Sequence, residues 1–276
     1  MRAERHWQRA REVSERARLG GALVPLETCL LDIPGTEPFV VRQLLSSTPR
    51  HLRQGGPRPN PFLPWDSPLE VDLLGPAHVL LLNKYPVQEA HLLVITRDWR
   101  PQGGWIESPD WQAVQQVSQD TGGLWFFNSG ARSGASQPHR HLQLLPRRQG
   151  ELSCPLAPLF LAQLAGTEAS WTWAYRLTRR TDPCGGSDLA DLYRAHARAL
   201  DLGDPSNNSE PLHPYNLLFD DQWFMTVRRV REHGAGFSVN ALGFAGFLLC
   251  TVGSDRGWLE RHGPWSLLAH VAALRA

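Results

Sequence analysis

The sequence predicts an α+β fold whose centre is a mainly antiparallel sheet with flanking helices. Short apolar runs of strand length follow one another across brief links, as at residues 78–85 and 91–96. Links of this length join antiparallel neighbours, whereas parallel neighbours need a crossover of about a dozen residues or more. Segments with helical periodicity interrupt these runs without alternating with them regularly, so a doubly wound parallel sheet is not expected.

The first elements are a helix and two short strands. A polar, amphipathic helix is predicted to begin the chain and to end at Gly20, where two glycines follow each other, and strands are predicted at residues 29–33 and 39–41. Residues 46–68 are dense in Pro, Gly and Arg, which predicts an irregular loop before the antiparallel pair.

A helix and a second pair of strands come next. Ser108 is expected to cap the helix, with Pro109 in its first turn. Strands are predicted at residues 124–128 and 139–145, around a connection rich in Gly and Ser. The remaining predicted elements are a strand at residues 171–177, a helix from Ser187 to Gly203, a hairpin of residues 215–219 and 223–227, and a helix opened by Pro264.

Composition narrows the classes of function. The chain has 28 Lys and Arg against 27 Asp and Glu, so nonspecific binding to nucleic acid or anionic lipid is not indicated and phosphate-binding charge has to be local. The four cysteines form no CxxC pair, which favours reduced thiols in a cytoplasmic protein. The longest apolar run, residues 241–252, is shorter than the roughly 20 residues of a membrane span. We therefore expect a soluble protein without a membrane or nucleic-acid partner.

The candidate chemistry lies in residues 128–143, NSGARSGASQPHRHLQ. Because strand side chains alternate between faces, His139, His141 and Gln143 are expected on one face and Arg140 and Leu142 on the other. One face then presents two imidazoles and an amide, with successive groups about 6 to 7 Å apart.

The loop before this strand predicts an anion site, because backbone N–H groups of small residues can approach a phosphate closely. Serine hydroxyls and amides add neutral donors, and Arg132 adds a charged one. The residues of this segment that we expect to bind nucleotide or phosphate are Asn128, Ser129, Gly130, Ser133, Gly134, Ser136 and Gln137.

Histidine suits attack on phosphorus, because an imidazole with a pKa of about 6.5 is mostly neutral inside cells and keeps a lone pair available. A phosphoramidate intermediate divides one nucleotidyl transfer into two easier steps. The amide of Gln143 can donate to a phosphate oxygen but cannot shuttle a proton, which favours transfer to an anionic acceptor over hydrolysis.

The run at residues 136–143, SQPHRHLQ, with NSG at 128–130, resembles the active-site motif of the histidine-triad superfamily. It is similar to the branch with glutamine at the third position, which contains galactose-1-phosphate uridylyltransferases and diadenosine tetraphosphate (Ap4A) phosphorylases, also called ATP adenylyltransferases. Further blocks along nearly the whole chain resemble the second of these families: NPFLPWD at 60–66, LNKYPV at 82–87, HLLVITR at 91–97, PYNLL at 214–218, SVNALGFAG at 238–246 and RHGPW at 261–265.

The resemblance implies a histidine-triad-like fold and phosphorolysis of Ap4A to ATP and ADP, reversible in principle, through a histidyl-AMP intermediate. It implies His141 as the nucleophile, His139 as a supporting residue of the catalytic motif, and Gln143 as a contact of the α-phosphate. It also implies residues 1–155 as an N-terminal catalytic region and residues 156–276 as a C-terminal region that completes the nucleotide site, either as two regions or within one compact domain.

Charge neutralisation is expected from further residues. The candidates for contact with the nucleotide are Asn83, Lys84 and Asn216. The resemblance also implies a lysine in the loop at residues 46–60; this chain has none there, and Arg53 or Arg58 is the candidate to replace it. No tightly bound cofactor is expected; Mg²⁺ accompanies the nucleotide without a dedicated protein site. The expected partners are nucleotides and inorganic phosphate, and the expected assembly is a monomer or small homo-oligomer.

Alternatives stay open at this point. Imidazoles on one strand face also bind zinc, with a third ligand from His91, His213 or a distant carboxylate. A uridylyltransferase acting on a sugar phosphate, a hydrolase, and a dinucleotide sensor without turnover are the other candidate functions.

Overall fold

The centre of the computed structural model, which describes residues 2–46, 60–181 and 187–275, is one eight-stranded sheet in which every pairing is antiparallel. Its strands are β3 (Glu70–Leu74), β4 (His78–Leu82), β5 (Leu92–Thr96), β6 (Gly123–Asn128), β7 (His141–Pro146), β8 (Tyr175–Arg179), β9 (Tyr215–Phe219) and β10 (Trp223–Arg228). They lie in the order β3-β4-β5-β7-β6-β9-β10-β8. The predicted α+β class with a mainly antiparallel sheet is confirmed.

The predicted strand pairs form because their apolar runs can be buried on both faces of the sheet. All residues of β4 and β5 are buried, and they pair with Leu80 opposite Val94. The hairpin of β9 and β10 is also as predicted, with Met225 opposite Leu218. These contacts lie between segments close in sequence, so the alternation of apolar runs and short links was sufficient to predict them.

Three helices cover one face of this sheet: α1 (Arg5–Leu19), α2 (Ser108–Asp120) and α4 (Ser187–Ala199). The predicted apolar face of α2 is buried at Trp111, Val114 and Val117. The capping residue of α2 is Glu107 and not Ser108, because the Glu107 backbone and the Asp110 side chain form a capping box.

The other face is covered by elements of the C-terminal half together with two strands from the N-terminal half. A small sheet of β1 (Thr28–Leu31), β2 (Val40–Leu44) and β13 (Phe247–Cys250) lies there, with β2 and β13 parallel. The remaining elements are α3 (Ala157–Leu164), β11 (His233–Gly234), β12 (Phe237–Ser238), α5 (Ala241–Phe244) and α6 (Arg256–Val271). Residues of α3, α5 and α6 form a common core with the sheet. None of the helices in the described residues is long and apolar enough to cross a membrane.

Several predicted boundaries differ from those in the structure. β7 begins at His141 and not at residue 139, because the preceding residues bridge to Pro101 in a loop. β8 begins at Tyr175 and not at 171, where its pairing with β10 starts. The helix that Pro264 was predicted to open does begin there, directly after a break at Gly263 with φ of +74°, but it continues a first segment that begins at Arg256 and is capped by the Asp255 side chain.

The large sheet crosses the predicted boundary between the two regions. β6, from the first region, pairs with β9, from the second, with Phe127 opposite Leu217. Residues of both regions are therefore held in register at one sheet, and the division at residue 155 stays a prediction.

Candidate active site

The motif residues border a cleft on the sheet face opposite α1, α2 and α4. The cleft has a volume of about 240 Å³ and is lined by Pro61, Phe62, Asp66, Leu69, Leu81, Leu82, Asn83, Lys84, Tyr85, Leu93, Ser136, Gln137, His141 and Gln143. A wider cavity of about 410 Å³ lies at the other end of β7, beside Pro146 and Arg147, and contains none of the predicted site residues. The first cleft is therefore the candidate site, because the possible nucleophile faces it.

His141 is 4% exposed and begins β7. Its Nδ1 donates to the backbone carbonyl oxygen of His139, 2.8 Å away, so its lone pair is on Nε2. In the part of the chain that the structure describes, Nε2 has no hydrogen-bond partner. Burial lowers the pKa of His141 to about 4, so the ring is neutral at pH 7 and Nε2 can attack an electrophile.

His139 is fully buried and both of its ring nitrogens are bonded within the protein. Nε2 donates to the Thr96 carbonyl oxygen at 2.8 Å, and Nδ1 accepts from the Asn60 amide at 3.0 Å. The Phe62 ring packs against His139 and His141, with centroid distances of 5.5 and 5.6 Å. The ring of His139 is therefore held by the protein, and its carbonyl group fixes the His141 tautomer.

Gln143 is the third member of the motif and lines the same cleft. Its Oε1 accepts from His91 Nε2 at 3.0 Å, and His91 Nδ1 lies 3.1 Å from Asn83 Nδ2. Asn83 also lines the cleft, but its amide is engaged by His91 and by the backbone N–H of Tyr85. Sequence reasoning did not assign this role to His91; the signal was that Asn83 and His91 flank the short link between two antiparallel strands.

Gln102 is a second residue that sequence reasoning missed. It is 1% exposed, and its Oε1 accepts from the His141 backbone N–H at 2.8 Å. Its Nε2 donates to the carbonyl oxygens of Asn128, at 2.8 Å, and His141, at 3.2 Å. The strands β6 and β7 are paired as far as Phe126 and Gln143, and the Gln102 amide joins their backbones two residues further along, at Asn128 and His141. No local pattern around residue 102 indicates this long-range contact.

Arg140 extends to the helix-covered face, as the alternation predicts. It donates to Asp110 Oδ2 at 2.7 Å and to the Pro101 carbonyl oxygen at 2.9 Å, while Asp110 Oδ1 lies 2.8 Å from His78 Nε2. Although burial opposes it, the His78 hydrogen bond and the Arg140 charge hold the pKa of Asp110 below its usual value. This ionic cluster fixes the segment that carries Gln102.

The loop of residues 129–138, which is rich in Gly and Ser (the Gly/Ser loop), is arranged differently from the expected anion site. The N–H groups of Gly130, Ser133 and Gly134 donate to the carbonyl oxygens of Asn128, Gly130 and Ala131, at 2.9, 3.2 and 2.9 Å. The Ser133 hydroxyl also donates to Gly130, at 3.0 Å. These donors are engaged within the loop itself, so their contact with a phosphate stays a prediction.

Asn128 and Asn216 connect this loop to the C-terminal region. Asn128 Oδ1 accepts from Asn216 Nδ2 at 2.8 Å and from the Ala241 N–H at 2.9 Å. Asn216 Nδ2 also donates to the Ser133 carbonyl oxygen at 2.8 Å, and Asn216 Oδ1 accepts from Arg229. Asn216 is fully buried with both amide atoms engaged, so it supports the loop from behind, which differs from the predicted nucleotide contact. Burial lowers the pKa of Arg229 to about 9.

Ser129, Ser136 and Gln137 have different surroundings: Ser129 is bonded to β9, whereas Ser136 and Gln137 lie at the cleft. The Ser129 hydroxyl accepts from the Tyr215 N–H at 2.7 Å, so it holds the loop to β9. Ser136 and Gln137 line the cleft. Gln137 Oε1 is buried and has no hydrogen-bond partner in the described residues.

Lys84 lies at the cleft with its Nζ 2.7 Å from Asp66 Oδ2, and its side chain is 38% exposed. The hydrogen bond to Asp66 raises the pKa of Lys84, which keeps it charged. Arg53 and Arg58 lie outside the described residues. Within the described ranges, no group of three or more His, Cys, Asp or Glu side chains is placed to hold a metal ion.

Two family models match this chain, one after the other along its length. Residues 1–162 match the Ap4A phosphorylase N-terminal domain, and residues 167–273 match the ATP adenylyltransferase C-terminal domain. Two relatives come from Saccharomyces cerevisiae. Diadenosine 5',5'''-P1,P4-tetraphosphate phosphorylase 2 is 28% identical over 232 residues, which are 73% of this chain and 70% of that protein. Protein APA1 is 36% identical over 198 residues, which are 63% of this chain and 61% of that protein.

Solved structures share the fold. The crystal structure of yeast Ap4A phosphorylase Apa2 superposes with a TM-score of 0.73 at 23% identity, covering all of both chains. The structure of the same enzyme in complex with AMP gives a TM-score of 0.74 at 22% identity, covering all of this chain and 99% of that one. Because the first family model alone covers more than half of the residues and the second continues to residue 273, the chain belongs to the Ap4A phosphorylase (ATP adenylyltransferase) family.

Proposed function

We propose that this protein cleaves Ap4A by phosphorolysis, releasing ATP and ADP through a nucleotidyl intermediate on His141. The observation that carries the proposal is the tautomer of His141. Its Nδ1–H is held by a backbone carbonyl, and its Nε2 faces the cleft without a partner in the described chain. His139, by contrast, has both ring nitrogens bonded within the protein.

The first step forms one bond and breaks one. His141 Nε2 attacks the α-phosphorus, an N–P bond forms, and the P–O bond to the β-phosphate breaks so that ATP leaves with the electron pair. The ring becomes positively charged while Nδ1 keeps its proton. The His139 carbonyl oxygen, 2.8 Å from Nδ1, stabilises that charge.

The second step reverses the bond changes with another acceptor. An oxygen of inorganic phosphate attacks the same phosphorus, the N–P bond breaks, and ADP leaves with His141 neutral again. Phosphate arrives already anionic, whereas water would have to lose a proton during attack. Gln143 cannot accept that proton, which favours phosphorolysis over hydrolysis.

The cleft contains the groups that this chemistry requires. The Gln143 amide can donate to an oxygen of the α-phosphate, and Ser136, Gln137 and Lys84 border the path of the polyphosphate. Mg²⁺ enters with the tetraphosphate, because it binds phosphate oxygens while keeping several waters. Free thiols at Cys29, Cys154 and Cys250 suit the cytoplasm, which we propose as the compartment.

The test is a product analysis. Purified protein is incubated with Ap4A and Mg²⁺, with and without inorganic phosphate, and the nucleotides are separated. We expect equal amounts of ATP and ADP with phosphate, and no turnover for His141→Ala. The exposed His262 provides the matched control, His262→Ala, which should retain full activity. ATP plus AMP without phosphate would mean hydrolysis and would refute the proposal.

A further inference from the structure

The side chains of Asn83, His91 and Gln143 form a hydrogen-bonded chain that ends at the cleft. Of the three, only Gln143 belongs to the motif at residues 136–143. Asn83 follows β4, His91 precedes β5, and Gln143 lies in β7. Asn83 Nδ2 is 3.1 Å from His91 Nδ1, and His91 Nε2 is 3.0 Å from Gln143 Oε1. The backbone N–H of Asn83 also donates to the His91 carbonyl oxygen at 2.8 Å, so the first two residues are fixed relative to each other.

The direction of each bond in this chain is determined at Asn83. Its Oδ1 accepts from the Tyr85 backbone N–H at 3.2 Å, which turns its NH₂ group toward His91. His91 Nδ1 must then be the acceptor, and the proton of the neutral ring must lie on Nε2. Nε2–H can donate only to the oxygen of Gln143, so the Gln143 NH₂ group is left facing the cleft.

The surroundings of His91 keep its ring neutral. Burial and, to a smaller extent, His141 on β7 lower the pKa of His91 to about 4, although the hydrogen bond to Gln143 opposes this shift. The other groups packed against the ring, Asn83, Gln143 and Phe126, carry no charge. Lys84 and Asp66, which also line the cleft, form an ion pair with each other.

We propose that His91 is a positioning residue that, together with Asn83, sets the direction of the Gln143 amide so that its NH₂ group meets the transferred phosphoryl group. This inference rests on the proposed function of the cleft. The two ends of an amide have nearly the same shape, so packing cannot select between them and only hydrogen bonds can. A reversed amide would place lone pairs of Gln143 Oε1 against a phosphate oxygen.

The substitution Asn83→Asp tests this mechanism through its pH dependence. A carboxylate beside Nδ1 raises the pKa of His91. Below that raised pKa, the imidazolium donates at both nitrogens, and Gln143 keeps its native direction. Above it, the remaining proton stays on Nδ1 facing the carboxylate, Nε2 becomes an acceptor, and Gln143 has to reverse.

We therefore expect the kcat of Asn83→Asp, relative to wild type, to fall as pH rises from about 6 to 9. The largest reduction of kcat is expected to be on the order of 100-fold, the usual effect of losing one hydrogen-bond donor to a reacting oxyanion. A loss that is constant over this pH range is what added negative charge alone produces, and it would overturn the proposal. Asn207→Asp makes the same chemical change at an exposed position and should follow the wild-type profile.

A direct measurement on the wild-type protein does not depend on activity or on the variant's stability. The ¹⁵N chemical shifts of the His91 ring report which nitrogen carries the proton, with assignment by comparison to His91→Gln. We expect a neutral ring protonated at Nε2 throughout the assay range. Protonation at Nδ1 would refute the positioning role even if Ap4A is cleaved, whereas protonation at Nε2 in a protein that does not cleave Ap4A would place the failure in the proposed function.

Discussion

Replacement of Gln102 by leucine tests whether the active strand depends on a buried side-chain amide. Gln102→Leu keeps a side chain of similar size and removes three hydrogen bonds, of 2.8, 2.8 and 3.2 Å, to the backbone of Asn128 and His141. At about 1 kcal/mol of net stability for each bond, the free energy of unfolding should fall by about 3 kcal/mol. Because Gln102 is 1% exposed, water cannot replace these bonds without rearrangement.

The same change should slow catalysis more than it weakens substrate binding, because it loosens the backbone that carries the nucleophile. A displacement of about 1 Å at a reacting group costs on the order of 100-fold in rate. Urea denaturation gives the free energy of unfolding, and the formation of ATP from Ap4A gives kcat and KM. Gln112→Leu, on the exposed side of α2, is the matched control and should change neither. A Gln102→Leu protein with wild-type kcat, or one that loses less than about 1 kcal/mol, would refute the reasoning.

Three further predictions concern the nucleophile, the loop and the cleft charges. In the proposed mechanism the neutral form of His141 reacts. Because burial lowers its pKa to about 4, kcat should change less than twofold between pH 7 and pH 5.5. A histidine with an ordinary pKa would lose about tenfold, and such a loss in the measured profile would contradict the assignment. Gly134→Ala should lower the free energy of unfolding by about 3 kcal/mol, because φ is +87° and the new Cβ would meet neighbouring backbone at 2.8 Å. Gly150→Ala, with φ of +90° and no atom within 4 Å, should lose only about 1 kcal/mol, and equal losses for the two would count against close packing at the loop. Lys84→Met should raise the KM for Ap4A by about fivefold at low salt, because an exposed ion pair between Lys84 and phosphate is worth about 1 kcal/mol. Asp66→Asn should lower the KM, because it removes the carboxylate that pairs with Lys84. If both variants shift the KM in the same direction, a role for this pair in binding phosphate is disproved.

Local patterns predicted the parts of the fold that depend on neighbouring segments. The apolar runs that became β4 and β5 were recognisable because their partner strand follows within a few residues, and the burial pattern of α2 follows from helical periodicity. The start of β7 was misplaced at residue 139 because Pro101, far away in sequence, bridges to that residue. No alternation pattern contains that information.

The site was predictable to the extent that its residues lie in one motif. His141 and Gln143 line the cleft together, as expected from strand alternation. Asn216 is behind the loop because Arg229, a buried cation from the end of β10, holds its amide oxygen. Gln102 was missed for the same physical reason, since both contacts join segments brought together only by tertiary structure.

The most direct test of the account is detection of the covalent nucleotide on His141. Protein mixed with Ap4A in the absence of phosphate, quenched in alkali to preserve the N–P bond, and digested for mass spectrometry should yield one AMP on the peptide that contains His141. The label should disappear, with formation of ADP, when phosphate is added before the quench. Turnover of Ap4A without such a label, or a label on His139 or another residue, would contradict the assignment of His141 as the nucleophile.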